Sequence, residues 1–355
     1  MSAERAVATY NAMQRALYLA DGRGLYRENA SMSAAVAYLW PFSRAYLGTL
    51  CLAGMPGRLG AFAPAVDDRA RALEHYWAGV AYASAVIPPG GDLYYDDNAW
   101  VGLSLVLQYR LGLAGDLRRA QQLWTFARGG WDRNGRDPRP GGVFWVQQGF
   151  GYGLRNHDRG AGATAGSAEL GFVIAERSQA AIDDATRMVD WVAAHLDRSG
   201  TGSGPFENVV RKDGSIDANL WSYNQGVMLG ARVLQYRLSG NASFLQTAES
   251  IARQTLTTFG NFQQHPPSFN AMCFQNMLML HPASTDLDLK AQMVAAMRAY
   301  GDWAWASARA SDGLFHFDDG GRPALGLPAK VQDQGAMTQL YALLAWDPAS
   351  YGRLT

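Results

Sequence analysis

A chain of 355 residues can fold as one large domain or two ordinary ones, and it has ample apolar surface to bury. Its 31 basic and 31 acidic residues cancel, and only 17% of positions are charged, which removes the electrostatic case for nucleic acid or an anionic membrane as partner. No window approaches 18 uninterrupted apolar residues, so no membrane span is expected.

The N-terminus, Met1-Ser2-Ala3-Glu4-Arg5, opens directly into a mixed-charge helical pattern with no basic then apolar leader. As it stands the sequence reads as cytoplasmic, or as secreted if a leader was removed. From there apolar periodicity predicts twelve helices, over about 3–20, 32–53, 65–86, 97–113, 116–128, 163–176, 178–197, 223–239, 242–259, 269–281, 286–309 and 332–346. The even-numbered ones are apolar or small on all sides, as from Gly226 to Leu234. The odd-numbered ones are amphipathic, as from Ala180 to Val192. Helices apolar all round belong inside, and amphipathic ones outside. Long polar loops (87–96, 129–162, 198–222, 260–268, 310–331) lead into the inner helices, while the connections out of them are short. The hexapeptide Val-Leu-Gln-Tyr-Arg-Leu occurs at 106–111 and again at 233–238, an offset of 127 residues that sets Asp97 opposite Asn224 and Asn98 opposite Gln225. The expected fold is therefore all-α, an (α/α)6 barrel: a toroid of six helical hairpins forming a single domain over 1–355, expected to be a monomer. The long loops make one rim the functional face.

At that rim, Tyr94-Tyr95-Asp96-Asp97-Asn98-Ala99-Trp100 leads into the fourth helix. A cap and a first-turn carboxylate would explain the pair without chemistry. In an aromatic setting, however, Asp96 and Asp97 are also what a glycosidase needs, one acid to attack or stabilise and one to donate a proton. A retaining enzyme holds two such groups roughly 5 Å apart, where they cannot both ionise freely. The 11 Trp, 16 Tyr and 14 Phe suit a cleft that stacks sugar rings. Tyr95, Trp100 and Trp145 are candidate substrate-binding residues on that ground. Tyr223, Asn224, Gln225, Arg155 and Asn156 are candidates through hydroxyl, amide and guanidinium groups suited to sugar hydroxyls. Phe269 and Asn270 hold an equivalent rim position. Cys51 and Cys273 read as buried free thiols, and six scattered histidines lack zinc spacing. No metal and no cofactor is expected.

The segments Asp96-Asp97-Asn98-Ala99-Trp100, Gly141-Gly142-Val143-Phe144-Trp145, Arg155-Asn156 and Tyr223-Asn224-Gln225-Gly226-Val227 resemble, in order and spacing, glycoside hydrolase family 76, the α-1,6-mannanases. The resemblance spans roughly residues 30 to 345, with Val101 where members often carry a second aromatic. It implies an (α/α)6 barrel and endo-hydrolysis of α-1,6-linked mannan or mannooligosaccharide with retention, Asp96 as nucleophile and Asp97 as general acid/base. The same ring could instead carry an unsaturated-uronide hydrolase, an N-acyl-sugar epimerase or a non-catalytic glycan-binding protein. The epimerase should show rim histidines, and only His265 lies near that rim. The uronide hydrolase should show basic groups around the cleft, and Arg155 is the obvious one.

Overall fold

Segments apolar on every side form an inner ring, and amphipathic segments wrap it. The computed structural model describes residues 1–31, 35–135, 137–175 and 178–355. The helices are α1 (Ser2–Leu17), α2 (Leu39–Ala53), α3 (Leu59–Ala72), α4 (Tyr95–Arg110), α5 (Leu117–Gly129), α6 (Ala161–Ile174), α7 (Gln179–His195), α8 (Ser222–Ser239), α9 (Ala242–Phe259), α10 (Pro267–Leu280), α11 (Leu287–Ser307) and α12 (Val331–Leu343). Even-numbered helices touch in sequence, α2 to α4, α6, α8, α10, α12 and back to α2. Each also packs on the outer helix that follows it, and α1 covers α12 to close the circle. This is the expected (α/α)6 barrel. The inner helices are buried almost throughout, α6 from Ala161 to Val173 without interruption. Cys51 and Cys273 lie in this ring as buried free thiols.

Two expected helices are misplaced. The expected start at 32–34 lies outside the described residues, and α2 begins only at Leu39. Before it the chain is extended, with Ala37 N–H bonded to Tyr26 O and Tyr38 N–H to the Glu28 carboxylate, so those donors are satisfied across the chain. The helix expected over 65–86 runs instead from Leu59 to Ala72 and tightens into a 3-10 turn over Leu73–Tyr76. Pro64 stands inside it rather than ahead of it, in its second turn, where the missing N–H costs a single bond. Trp77 ends the run by pairing with Tyr82 as extended chain. The expected end of the sixth helix at 176 is also outside the described residues.

Rim loops also build a three-stranded antiparallel sheet that no alternating pattern announced, β1 (Arg159–Gly160), β2 (Val209–Val210) and β3 (Ile216–Asp217), in that order. Pairs this short carry little periodicity to read.

How the loops are fastened to the ring explains the repeat. Asn98, four residues past the N-cap of α4, accepts from Tyr82 N–H and donates to Tyr82 O and Tyr94 O. Gln225 does the same in α8 with Phe206 N–H, Phe206 O and Trp221 O, and Gln334 in α12 with Phe315 N–H, Phe315 O and Lys330 O. Asn270 in α10 donates to Phe262 O and His265 O, and Thr164 in α6 accepts from Val143 N–H. One amide side chain thus satisfies a loop's backbone groups and the first turn of an inner helix together, in a place with no water to do it. Gln225→Ala should therefore lower stability by about 1–3 kcal/mol in denaturant melts, because it orphans buried Phe206 groups. Gln254→Ala, on the outer face of α9, should change it by less than about 0.5 kcal/mol.

Candidate active site

The N-termini of the inner helices surround a cleft of ≈ 400 Å³. Outer helices α5, α9 and α11 begin with Asp116, Asn241 and Asp286 capping their own first turns. None of the six inner helices has a side-chain bond from its N-cap residue. Loop carbonyls take the first N–H of four of them, Leu39 to Ser84 O, Tyr95 to Trp145 O, Ala161 to Asn208 O and Val331 to Glu28 O, and the positive poles of the inner helices face this rim, which favours anionic groups there.

Asp96 and Asp97 occupy the first turn of α4 and both line the cleft. Asp96 accepts two hydrogen bonds, from Asp97 N–H at 2.9 Å and from Trp145 Nε1–H at 3.0 Å. Burial raises its pKa to about 6, and these donors restrain the rise. Burial also raises Asp97, and the neighbouring Asp96 charge pushes it higher, with the Arg44 guanidinium opposing, so that it stands well above the usual carboxylate range. The pair can hold one proton and one negative charge at neutral pH, with the proton on Asp97.

Aromatic rings wall this pair. Trp145 is 37% exposed, with its ring 5.0 Å from Tyr94 and 6.0 Å from Tyr152, while Tyr223 lies 4.5 Å from Phe269 across the cleft. Trp100 and Tyr223 fit only because α6 carries glycine opposite them. A Cβ on Gly166 would collide with the Trp100 ring, and one on Gly162 with the Tyr223 ring. Trp145 is presented by Gly141 and Gly142, with φ of 95° and 79°, backbone that side-chain-bearing residues rarely adopt. Arg159, fully buried, pins the same loop by donating to Asp132 Oδ2 and to the carbonyls of Pro138, Arg139 and Gly141.

Of the twelve residues singled out in the sequence, Asp96, Asp97, Trp100, Trp145, Tyr223 and Phe269 line this cleft. Tyr95 does not. It opens α4 with its ring stacked 4.5 Å from Phe126 of α5, facing outward, while Tyr94 takes the cleft side. Arg155 is exposed on the loop surface, its guanidinium 5.0 Å from the Tyr152 ring. Asn156 is buried and supports the wall by donating to Asp158 Oδ2 at 3.2 Å. Asn224 sits behind the lining, donating to Asn208 Oδ1, and Gln225 is consumed by the Phe206 backbone. Trp40, Asp158, Asn208, Arg211 and Asp217 line the cleft without having been singled out. Trp40 comes from a helix that reads as core and the other four from the rim loops 129–162 and 198–222, where charge was the signal for Asp158, Arg211 and Asp217 alone.

The glycosyl hydrolase family 76 model matches residues 10–295. Among solved structures, a family 76 mannosidase from Bacteroides thetaiotaomicron is 20% identical with a TM-score of 0.81, covering 97% of this chain and 98% of that one. An inactive α-1,6-mannanase variant from Salegentibacter sp., with two consecutive aspartates changed to asparagine and α-1,6-mannotriose bound, is 17% identical with a TM-score of 0.77, covering 97% and 99%. Dfg5 from Chaetomium thermophilum, in complex with glucosamine, is 14% identical with a TM-score of 0.70, covering 97% and 90%. At such identities the likeness speaks for the fold. No curated protein matches the chain.

Both aspartates bind a proton more tightly folded than unfolded, so they stabilise the fold least where both states would ionise them. Their unfavourable contribution is absent well below the ordinary carboxylate value of 3.8, grows as pH rises above it, and for Asp96 is complete once pH passes about 6. The double variant Asp96→Asn/Asp97→Asn should melt at least about 2 °C above wild type at pH 8. That gain should vanish toward about pH 3, as calorimetry at the two pH values would read.

Proposed function

The chain belongs to glycosyl hydrolase family 76, and from that membership and the site we propose that it is a retaining endo-hydrolase of α-1,6-linked mannan, with Asp96 as nucleophile and Asp97 as general acid/base. The observation that carries this reading is the unequal setting of two adjacent acids in one aromatic cleft. Asp96 accepts two N–H donors, which favour its anionic form, while among the described residues no donor of that kind holds Asp97, which keeps its proton beside a neighbouring charge.

The reaction then runs in two displacements. The Asp97 carboxyl protonates the glycosidic oxygen as an Asp96 oxygen attacks the anomeric carbon, forming a glycosyl ester and releasing the shortened chain. Asp97, now a carboxylate, takes a proton from water, whose oxygen breaks the ester and restores Asp96. Two inversions give net retention. Trp145 serves twice, its ring face toward the sugar and its N–H on the nucleophile.

Uronide hydrolysis and epimerisation fit less well. Among the described residues the one guanidinium lining the cleft, Arg211, stands 3.9 Å from the Asp217 carboxylate, and His265 packs its ring against Phe259 and Trp221.

On linear α-1,6-mannooligosaccharides, Asp96→Asn and Asp97→Asn should each lose at least about 10³-fold in kcat/KM with unchanged circular dichroism. Near-wild-type activity in either variant would sink the assignment, and proton NMR of fresh product should show the α anomer first. In wild type, kcat/KM should fall on the acid side with an apparent pKa near 6. Trp145→Phe should lower kcat/KM about tenfold. Because a donor to the carboxylate is lost, that variant's acid limb should also move to higher pH.

A further inference from the structure

We propose that Arg44 is a positioning residue of this site, a buried fixed cation beneath Asp97 that receives the negative charge when the acid gives up its proton. The inference rests on the reading of Asp96 and Asp97 given above.

Arg44 lies on α2 and is 1% exposed. Its Cζ stands 4.4 Å from the Trp40 ring, its Nε–H donates to Ser43 Oγ at 3.4 Å, and among the described residues no carboxylate comes within 4.0 Å of it. A guanidinium taken out of water without an ion-pair partner is costly unless a charge slightly farther off compensates it. The single negative charge that the aspartate pair carries compensates it, held on Asp96 at rest and on Asp97 once that acid has given up its proton. Asp97, Trp100 and Ser104 follow at helical spacing on one face of α4. Trp100 lines both the cleft and a second cavity of ≈ 20 Å³, between inner helices α2, α4, α6 and α10, that Arg44 and Ser104 also line. Asp97 is the carboxylate whose field acts on Arg44, and Arg44 is the cation acting on Asp97.

The other groups around this pair do not substitute for it. Glu169 of α6 lines the same small cavity, but burial alone drives its carboxyl far upward, so it stays neutral. The Cys51 thiol of α2 is likewise held protonated by burial. Tyr94 and Tyr223 are phenols raised above their ordinary value. Asp158, Asp217 and Arg211 line the outer cleft, the last two near each other. On α12, Asp333 answers to Lys330 and Asp319.

In the first displacement the site's single negative charge moves from Asp96, which becomes an ester, to Asp97, which loses its proton. A fixed cation nearer Asp97 favours that transfer and costs no reorganisation.

Arg44→Met and Arg44→Lys test this. A methionine of similar reach should leave the melting temperature equal or higher, because it removes a buried charge. It should move the basic limb of the kcat/KM profile, set by Asp97, upward by about one pH unit and the acid limb by less. Arg44→Lys should keep the limbs near wild type. Unmoved limbs in Arg44→Met, or a variant that no longer folds, would overturn the proposal, since the arginine would then be structural. Carboxyl carbon-13 titration of Asp96 and Asp97 in wild type and Arg44→Met reads the same coupling without substrate. Inactivity of wild type on mannan with this coupling present would count against the functional reading alone, and identical titrations would sink the role of Arg44.

Discussion

One residue beyond the aspartate pair, Asn98 gives its whole amide to backbone: an acceptor for Tyr82 N–H, donors for Tyr82 O and Tyr94 O. That contact fixes the first turn of α4 against the loop before it, and so fixes where Asp96 and Asp97 point. Gln225 and Gln334 repeat it in α8 and α12, at the same step past the N-cap. A ring of parallel helices with long loops at one rim must satisfy many backbone groups away from water, and a single amide at this position does so for two segments at once. The register that the repeated hexapeptide sets is thus a physical one: Asn98 and Gln225 are equivalent because they do the same work.

With the rim held, the electrostatics of the hollow follow from its depth. Two neighbouring carboxylates enter a region of poor solvation lined from the N-terminal ends of five inner helices, and desolvation becomes the largest influence on both. What separates them is local. Trp145 reaches over to one and leaves the other, and it can do so because a paired-glycine turn and the buried Arg159 hold its loop in place. Arg44 of α2 acts on the other, Asp97. The two acids are therefore distinguished by groups from a rim loop and from α2, not by anything in α4 itself.

The cleft walls show a similar division. Trp100 and Tyr223 are large rings on inner helices, and they are accommodated by glycines on the helix between them. In a close-packed interior such complementarity decides which rings can turn toward the axis.

Much of this was legible in the residue order. The alternation of all-apolar and amphipathic helices, and of long and short loops, is local information, and it carries the ring, the functional rim and the placing of Asp96, Asp97, Trp100, Trp145 and Tyr223 in one cleft. What stayed hidden depends on helical phase and on distant partners. The fourth helix starts at Tyr95 rather than near 97, and successive side chains diverge by about 100°, so Tyr94 faces the cleft and Tyr95 faces Phe126. An amide suited to a sugar hydroxyl is equally suited to a peptide group, and only the fold brought Phe206 to Gln225. Arg44 reads as an incidental charge in an apolar helix until packing sets it beneath acids more than fifty residues later in the chain. Periodicity reports which side of a helix is buried; which partner waits there is decided when the ring closes.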